Sequence, residues 1–239
     1  MRMTAGTPGD LSQALARHGL ITRGGFHFTP DEARPEGPNG RPAVSLILTG
    51  HAGGAIWPHF SAWLEKQAAR PANPLDAWSA EVIGGIAERF GAKAVFPWQK
   101  PYLPFQQWAK RGEGLKPSPL GMLIHPEFGL WHAYRGALVF DVEIAIQQAR
   151  VTIHPCDECV EKPCLSTCPV DAFSPDGFDA AGCRSYLDSS ASRDGSVTQP
   201  DCMNAGCRAR DACPVGRDHR YPDTQVQFHM AAFARAGRA

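Results

Sequence analysis

Apolar and polar positions in the first 150 residues alternate between the three-to-four-residue spacing of helices and the denser apolar runs of strands. This mixture predicts an α+β domain in which helices pack on a sheet. The pattern predicts helices over residues 10–18 (with Asp10 as N-cap), 55–68, 74–90 (with Gly91 as C-cap) and 105–110, and strands over residues 21–29, 43–49, 93–96, 120–125 and 130–140.

The last two strands flank Pro126-Glu-Phe-Gly129, a sequence that is typical of a tight turn. We therefore predict a β-hairpin from residue 120 to residue 140. Its centre, Gly121 to Gly136, combines a proline, three glycines, two histidines and three aromatic residues. A buried hairpin with a tight turn explains this run without any ligand. The alternative is the wall of a pocket for a large planar cofactor.

The composition changes near residue 150, which predicts two domains. All six tryptophans precede this point and all eight cysteines follow it. We expect an α/β domain over residues 1–150 and a smaller domain over residues 151–239 that ends in a helix from 223 to 236. Residues 151–221 have short helical patterns, frequent turns and few large apolar side chains, so we expect a group bound by the cysteines to hold this region together.

The charge balance argues against a general attraction to polyanions, because 24 lysines and arginines offset 24 aspartates and glutamates. Nucleic acid is therefore not an expected partner. The most apolar run, residues 43–48, is too short to span a bilayer, and the first 20 residues lack a signal-peptide pattern. We expect a cytoplasmic protein with no membrane partner, and clustered cysteines in that compartment bind metal more often than they form disulfides.

The eight cysteines form two groups that each end in Cys-Pro, with Cys183 alone between them. The first group has the spacing C-x2-C-x4-C-x3-C-P and the second has C-x4-C-x5-C-P. Eight thiols with two Cys-Pro ends match two 4Fe-4S clusters, and in proteins with two such clusters the cysteine before proline binds the other cluster. This predicts one cluster on Cys156, Cys159, Cys164 and Cys213, and a second on Cys168, Cys183, Cys202 and Cys207.

Two other interpretations of the cysteines stay open. Two structural zinc ions would also use eight thiolates, but zinc sites usually contain C-x2-C pairs and only Cys156 and Cys159 have that spacing. Disulfides are disfavoured by the expected compartment. The spacing of four residues between the second and third cysteines, and the stretched second group, leave open a labile cluster or one of another type.

The run Ile124-His-Pro-Glu-Phe-Gly-Leu-Trp-His-Ala-Tyr-Arg-Gly136 resembles the signature hairpin of the CblC-type proteins, which remove the upper ligand of cobalamin. The order of the chain resembles that of epoxyqueuosine reductase, in which a cobalamin-binding domain precedes a ferredoxin module. Cys183-Arg-Ser-Tyr-Leu187 matches a run in that module. The resemblance covers nearly all of the chain. It implies a nitroreductase-like α/β sandwich followed by a small ferredoxin-like domain with two clusters.

The resemblance also implies roles for individual residues. Gly121 and the hairpin backbone would lie against the corrin, with Trp131 nearby. Arg135 matches an arginine that helps to hold glutathione in CblC-type proteins, a role that clusters could replace. His125 is a candidate axial ligand of cobalt, although a structural imidazole beside the proline is the simpler interpretation.

Two departures from epoxyqueuosine reductase count against modification of tRNA. The acid that donates a proton in that enzyme falls near residues 100–103, where this sequence has no acidic residue and Tyr102 is a candidate replacement proton donor. The helical-repeat tail of that enzyme is also not present in these 239 residues.

The sequence therefore predicts an iron–sulfur oxidoreductase that binds a corrinoid and reduces it or removes its upper ligand. Electrons from a low-potential donor, such as a reductase, flavodoxin or ferredoxin, would pass through two 4Fe-4S clusters. One alternative is a ferredoxin-like electron-transfer protein that binds no corrinoid. Another is a reductase of a modified nucleoside or an organohalide on the same scaffold.

Overall fold

The protein divides into two compact units in a computed structural model that describes residues 7–146, 153–174, 176–189 and 201–236. The first unit takes Met1–Leu115 and His132–Thr152, and the second takes Lys116–Trp131 and Ile153–Ala239. The expected α+β class is confirmed. A boundary close to residue 150 is present, but the chain also enters the second unit earlier, between residues 116 and 131.

Helices and strands of the described residues agree with most of the predicted positions. Within those residues, no helix combines the length and the apolar character that crossing a bilayer requires. The helices are α1 (Pro8–Ala16), α2 (Trp57–Glu65), α3 (Pro74–Arg89), α4 (Phe105–Glu113), α5 (Pro155–Glu158), α6 (Ala180–Asp188), α7 (Cys202–Ala205), α8 (Arg208–Asp211) and α9 (Asp223–Arg235), and the strands are β1 (Ile21–His27), β2 (Ser45–Ala52), β3 (Lys93–Val95), β4 (Lys116–Pro117), β5 (Leu123–Ile124), β6 (His132–Phe140), β7 (Phe173–Ser174) and β8 (Gly177–Phe178).

The first unit is built on a four-stranded antiparallel sheet in the order β1-β2-β6-β3. β2 and β6 form its centre, and their pairing runs from Ser45 opposite Phe140 to Ala52 opposite His132. Nearly every residue of β2 is buried, which explains why this strand appears in the sequence as a continuous apolar run. β2 continues to Ala52, three residues beyond the predicted end of this strand at residue 49.

The first helix begins earlier than predicted, and Asp10 is not its N-cap. Thr7 is the N-cap and Pro8 occupies the first helical position, where its fixed φ and missing N–H cost nothing. Asp10 closes a capping box, because its carboxylate accepts a hydrogen bond from the Thr7 backbone N–H at 2.9 Å. α3 ends close to the predicted position, but its C-cap is Phe90 and not Gly91; Gly91 is the next residue and has a φ of +66°.

The predicted hairpin over residues 120–140 is wrong. Its turn exists, since His125 and Gly129 form an isolated antiparallel bridge, but the two flanking strands do not pair with each other. β5 is only two residues long and pairs with β4 in the second unit, whereas β6 pairs with β2 and β3 in the first. Apolar alternation in β6 identified a strand correctly, but it carries no information about which strand lies beside it.

Short elements and the cysteines themselves make up the second unit. α9 packs on α6 and α7. One apolar group combines Leu120, Ile124 and Leu130 with Cys164 and Cys213. Another combines Leu187, Cys202 and Ala234. The thiols are therefore part of the packed interior of this unit.

Two glycines explain why the segment 116–131 belongs to the second unit. Gly129 and Gly216 have φ values of +58° and +71°. A Cβ atom on Gly129 would lie 2.0 Å from the Val215 carbonyl oxygen, and one on Gly216 would lie 2.3 Å from the Phe128 carbonyl carbon. The two backbone segments can touch only because both positions lack a side chain. The Arg210 guanidinium adds a 2.6 Å hydrogen bond to the Leu130 carbonyl oxygen.

Candidate metal centre

Four thiols of the second unit line one small cavity. They come from the loop Pro155–Leu165, which contains α5 and a 3-10 turn at Pro163–Leu165, and from the Cys-Pro pair that follows α8. Ile124 and Leu130 close the cavity from the segment 116–131. The cavity thus joins thiols that are up to 57 positions apart in the sequence. We call its thiols the first thiol set: Cys156, Cys159, Cys164 and Cys213.

Three of the other four thiols lie at the starts of short helices or within one, and the fourth, Cys168, lies in a loop. Cys183 lies in α6, Cys202 begins α7 and Cys207 is the N-cap of α8. Cys168 accepts a hydrogen bond from the Ala172 backbone N–H at 3.3 Å. We call these the second thiol set: Cys168, Cys183, Cys202 and Cys207.

The electrostatics of the thiols separates them into the same two sets. Burial first, and then the charges of the three other thiols in the first set, raise the pKa of Cys156 to about 11. Burial and the three other thiols of the second set raise the pKa of Cys183 to about 11 in the same way. The pKa values of Cys164, Cys202 and Cys213 are also raised, and each of them responds only to thiols of its own set. The first set lines one cavity, and the thiols that influence each pKa belong to the same predicted set.

The chemistry of these residues fits iron–sulfur ligation. The raised pKa values show that ionising these buried, neighbouring thiols is unfavourable. A bound metal replaces the thiol protons and offsets the repulsion between the thiolates, which removes this cost. Backbone N–H groups of Ala209 and Arg210 donate to Cys207, and the Val215 N–H donates to Cys213; each contact lowers the pKa of its thiol. Amide hydrogen bonds to sulfur are a usual feature of such clusters.

Lys162 contributes the one ammonium group of the loop Pro155–Leu165. Its backbone is left-handed, with φ +41°, and the residue lines the cavity of the first thiol set. Its charge lowers the pKa of Cys156, in opposition to burial. Among the described residues, no three His, Cys, Asp or Glu side chains are arranged to hold a single metal ion. Ligation by the two sets stays a prediction.

The predicted corrinoid residues fall in different units, with Arg135 in the first and the others in the second. Gly121 is exposed, has a φ of +77°, and faces open space where a Cβ would be. His125 uses its Nδ1 atom to accept hydrogen bonds from the Glu127 and Phe128 backbone N–H groups, both at 3.1 Å. Its proton therefore lies on Nε2, so neither ring nitrogen of the neutral imidazole offers a lone pair to cobalt. This geometry favours the structural interpretation of His125.

Trp131 is 5% exposed and packs edge-on against Tyr221, with the Arg210 guanidinium 4.3 Å from the centre of one of its rings. Its indole N–H has no hydrogen-bond partner in the described structure. Gln225, at the start of α9, is fully buried, and neither its amide nitrogen nor its amide oxygen has a partner there. Such unpaired buried polar groups are rare in native proteins. No sequence pattern indicated that Gln225 would be buried.

Arg135 is held within the first unit by α3. Its guanidinium donates to the Asp76 carboxylate at 2.7 Å, the Ser79 hydroxyl at 3.0 Å and the Leu75 carbonyl oxygen at 3.2 Å. Tyr102, the candidate proton donor, is 70% exposed. The roles expected for Arg135 and Tyr102 stay predictions.

Sequence reasoning missed a buried charged network in the first unit. Arg23 is 1% exposed and donates from Nε and Nη2 to the Glu113 carboxylate, at 2.7 and 2.8 Å. Its Nη2 also donates to His132 Nδ1 at 3.2 Å, and the Tyr134 hydroxyl donates to Glu113. Burial raises the pKa of Tyr134 far above its ordinary value, so the phenol stays protonated. The one feature of the sequence that could have indicated this network is Arg23, a charged residue inside a predicted strand.

No protein-family model matches the sequence, and no curated protein matches it significantly. Solved structures do match. A selenomethionine-labelled epoxyqueuosine reductase has 14% identity and a TM-score of 0.52, with 92% of this chain and 68% of that protein covered. An epoxyqueuosine reductase solved with a tRNA-Tyr stem loop has 12% identity and a TM-score of 0.49, with 90% and 66% covered. The C. elegans B12-trafficking protein CblC, a homologue of human MMACHC, has 12% identity and a TM-score of 0.49, with 95% and 94% covered.

The match with a TM-score of 0.52 confirms the expected fold, which is shared with epoxyqueuosine reductase. At 14% identity, this match concerns the fold alone. The chain spans about two thirds of the length of the epoxyqueuosine reductases. The expectation that nucleic acid is not a partner stays a prediction.

Proposed function

We propose that this protein is an iron–sulfur oxidoreductase that binds a corrinoid and reduces it or removes its upper ligand. The observation that carries the redox part is the separation of eight thiols into two sets of four, each with its own electrostatic environment. Two clusters in one small unit form an electron relay, and fusion to a second unit replaces a diffusing donor with a tethered one. The fold shared with epoxyqueuosine reductase supports the corrinoid part.

Within this proposal, the chain supplies three kinds of groups. The two thiol sets hold the clusters, whose chemistry when bound is one-electron transfer at low potential. Trp131 and Gln225 supply unpaired polar groups that suit the amide side chains of a corrin. Gly121 leaves space for a flat ligand to approach the backbone.

Titration with cobalamin under anaerobic conditions tests the proposal. The purified protein, reconstituted with iron and sulfide, should contain about eight irons per chain. Aquocobalamin should bind with a change in its visible spectrum, and dithionite should then produce the reduced cobalamin faster with protein than without it. Cyanocobalamin should lose cyanide under the same conditions. A protein that contains the iron but neither binds cobalamin nor changes its reduction would instead support the alternative function, an electron-transfer protein that binds no corrinoid.

Gln225→Met provides a prediction about the corrinoid that does not depend on activity. The substitution keeps the length of the side chain and removes a buried amide, so we expect the protein without corrinoid to gain about 1–2 kcal/mol of stability. We expect its affinity for aquocobalamin to fall about 5- to 10-fold, because a hydrogen bond to the ligand is lost. Urea denaturation and spectroscopic titration measure the two effects.

Gln227→Met is the matched control, since Gln227 is exposed on the same helix. It should change neither stability nor affinity. A gain in stability for Gln225→Met with unchanged affinity would show that Gln225 does not contact the corrinoid.

A further inference from the structure

The loop Pro155–Leu165 has two chemically different sides. Its inward side carries the thiols of Cys156, Cys159 and Cys164, which line the cavity of the first thiol set. Its outward side carries mostly carboxylates and apolar side chains. The exposed residues of the loop are Asp157, Glu158, Val160, Glu161, Lys162 and Leu165.

Among the large apolar residues that the structure describes, Val160 is the most exposed, at 93%. It follows Cys159 directly, so its Cα lies about 3.8 Å from that of a predicted cluster ligand. Leu165 is 43% exposed and follows Cys164, a second member of the same thiol set. Single exposed apolar residues are common on protein surfaces, but here two of them adjoin two thiols of one set.

The exposed side chains of the loop carry a net negative charge. Asp157, Glu158 and Glu161 face solvent, and within the described residues none of them forms an ion pair. Lys162, the one basic residue of the loop, is also exposed and lines the cavity of the first thiol set as well. The outward side is therefore an apolar centre in mainly negative surroundings, placed one residue away from the redox site.

We infer that the outward side of this loop is the docking surface for a one-electron carrier whose apolar redox edge is surrounded by basic residues. This inference rests on the proposed function, because it requires a cluster on the first thiol set. One electron passes between the carrier and that cluster, and no bond forms or breaks. Charge complementarity accelerates the encounter and orients it, while Val160 brings the carrier close to Cys159. An acidic carrier of the flavodoxin type would be repelled from this face.

Stopped-flow mixing with ferric cytochrome c, a basic carrier, tests the inference. The protein is reduced by dithionite, freed of excess reductant under anaerobic conditions, and mixed with cytochrome c at low ionic strength. We expect the bimolecular rate constant to fall about 10-fold or more in Glu158→Lys/Glu161→Lys, and the wild-type rate to fall as salt is added. Val160→Asp should also slow the reaction, and it should do so at high salt as well.

Glu65→Lys/Glu88→Lys is the matched control, because it makes the same change in net charge at exposed positions of the first unit. Its rate should stay within about twofold of wild type. Equal rates in the loop variant and wild type, or equal losses in both double variants, would overturn the docking surface. A faster reaction with an acidic flavodoxin than with cytochrome c would do the same.

Iron analysis and electron paramagnetic resonance of each reduced variant separate this inference from the proposed function. Wild-type protein without clusters would overturn both. If the clusters are intact but the rate constant is the same in wild type and in the loop variant, the docking surface alone would be overturned.

Discussion

Replacing Cys213 by Ala should remove about four of the eight irons, and adding Cys156→Ala should remove no more. Cys213 and Cys156 belong to the same thiol set although 57 residues separate them, so either substitution breaks one cluster. Combining Cys213→Ala with Cys207→Ala should instead remove nearly all of the iron, because those neighbouring cysteines belong to different sets. Iron analysis and electron paramagnetic resonance after anaerobic reconstitution measure both results.

The double variants distinguish the two ways in which the thiols can be grouped. If each cluster used consecutive cysteines, Cys207 and Cys213 would share one cluster, and their double variant would keep about four irons. The Cys156/Cys213 pair would then lose both clusters. Ser166→Ala, at an exposed position of the first cysteine group, should keep all eight irons and serves as the control.

The second large effect concerns the stability of the first unit. Replacing Glu113 by Gln should lower the free energy of unfolding by about 3–5 kcal/mol, because it leaves the Arg23 guanidinium charged and buried without a counter-charge. Arg23→Met should have a similar cost. Combining Arg23→Met with Glu113→Leu should cost less than the sum of the two single changes, since the pair is then removed together. Urea denaturation of each variant gives the four free energies that this cycle needs.

Lys93 and Glu36 provide a matched control for the buried pair. Their side chains approach to 2.6 Å, as closely as those of Arg23 and Glu113, but they are 43% and 63% exposed. Lys93→Met should therefore change the free energy of unfolding by less than about 1 kcal/mol. Equal costs at the exposed and buried pairs would show that burial does not set the strength of the Arg23 interaction.

Local patterns in the sequence predicted most individual elements. The buried strand β2 and the helix α3 were found because each has a long periodic or continuous apolar pattern, and such patterns depend only on near neighbours. The terminal helix α9 was predicted within one residue at its C-terminal end. The start of α1 was misplaced because Thr7 and Asp10 are both good capping residues, and Pro8 decided between them.

Pairing between strands could not be predicted in the same way. The turn at His125 and Gly129 is local and was recognised, whereas the partners of β5 and β6 depend on contacts with distant segments. The buried pair of Arg23 and Glu113 was missed for the same reason, since 90 residues separate its members. The burial of Gln225 could not be predicted, because a glutamine on a helix is ordinarily exposed.

The sequence by itself determined that this protein has an α+β fold and eight thiols, seven of them in two groups that each end in Cys-Pro, because helices, strands and cysteine spacing depend on short stretches of chain. Only the tertiary structure decided which thiols face one cavity, that residues 116–131 pack with the cysteines, and that the acidic residues beside Cys159 point outwards. These features arise from contacts between segments far apart in the sequence. Their energies depend on burial, which is fixed only when the whole chain has folded.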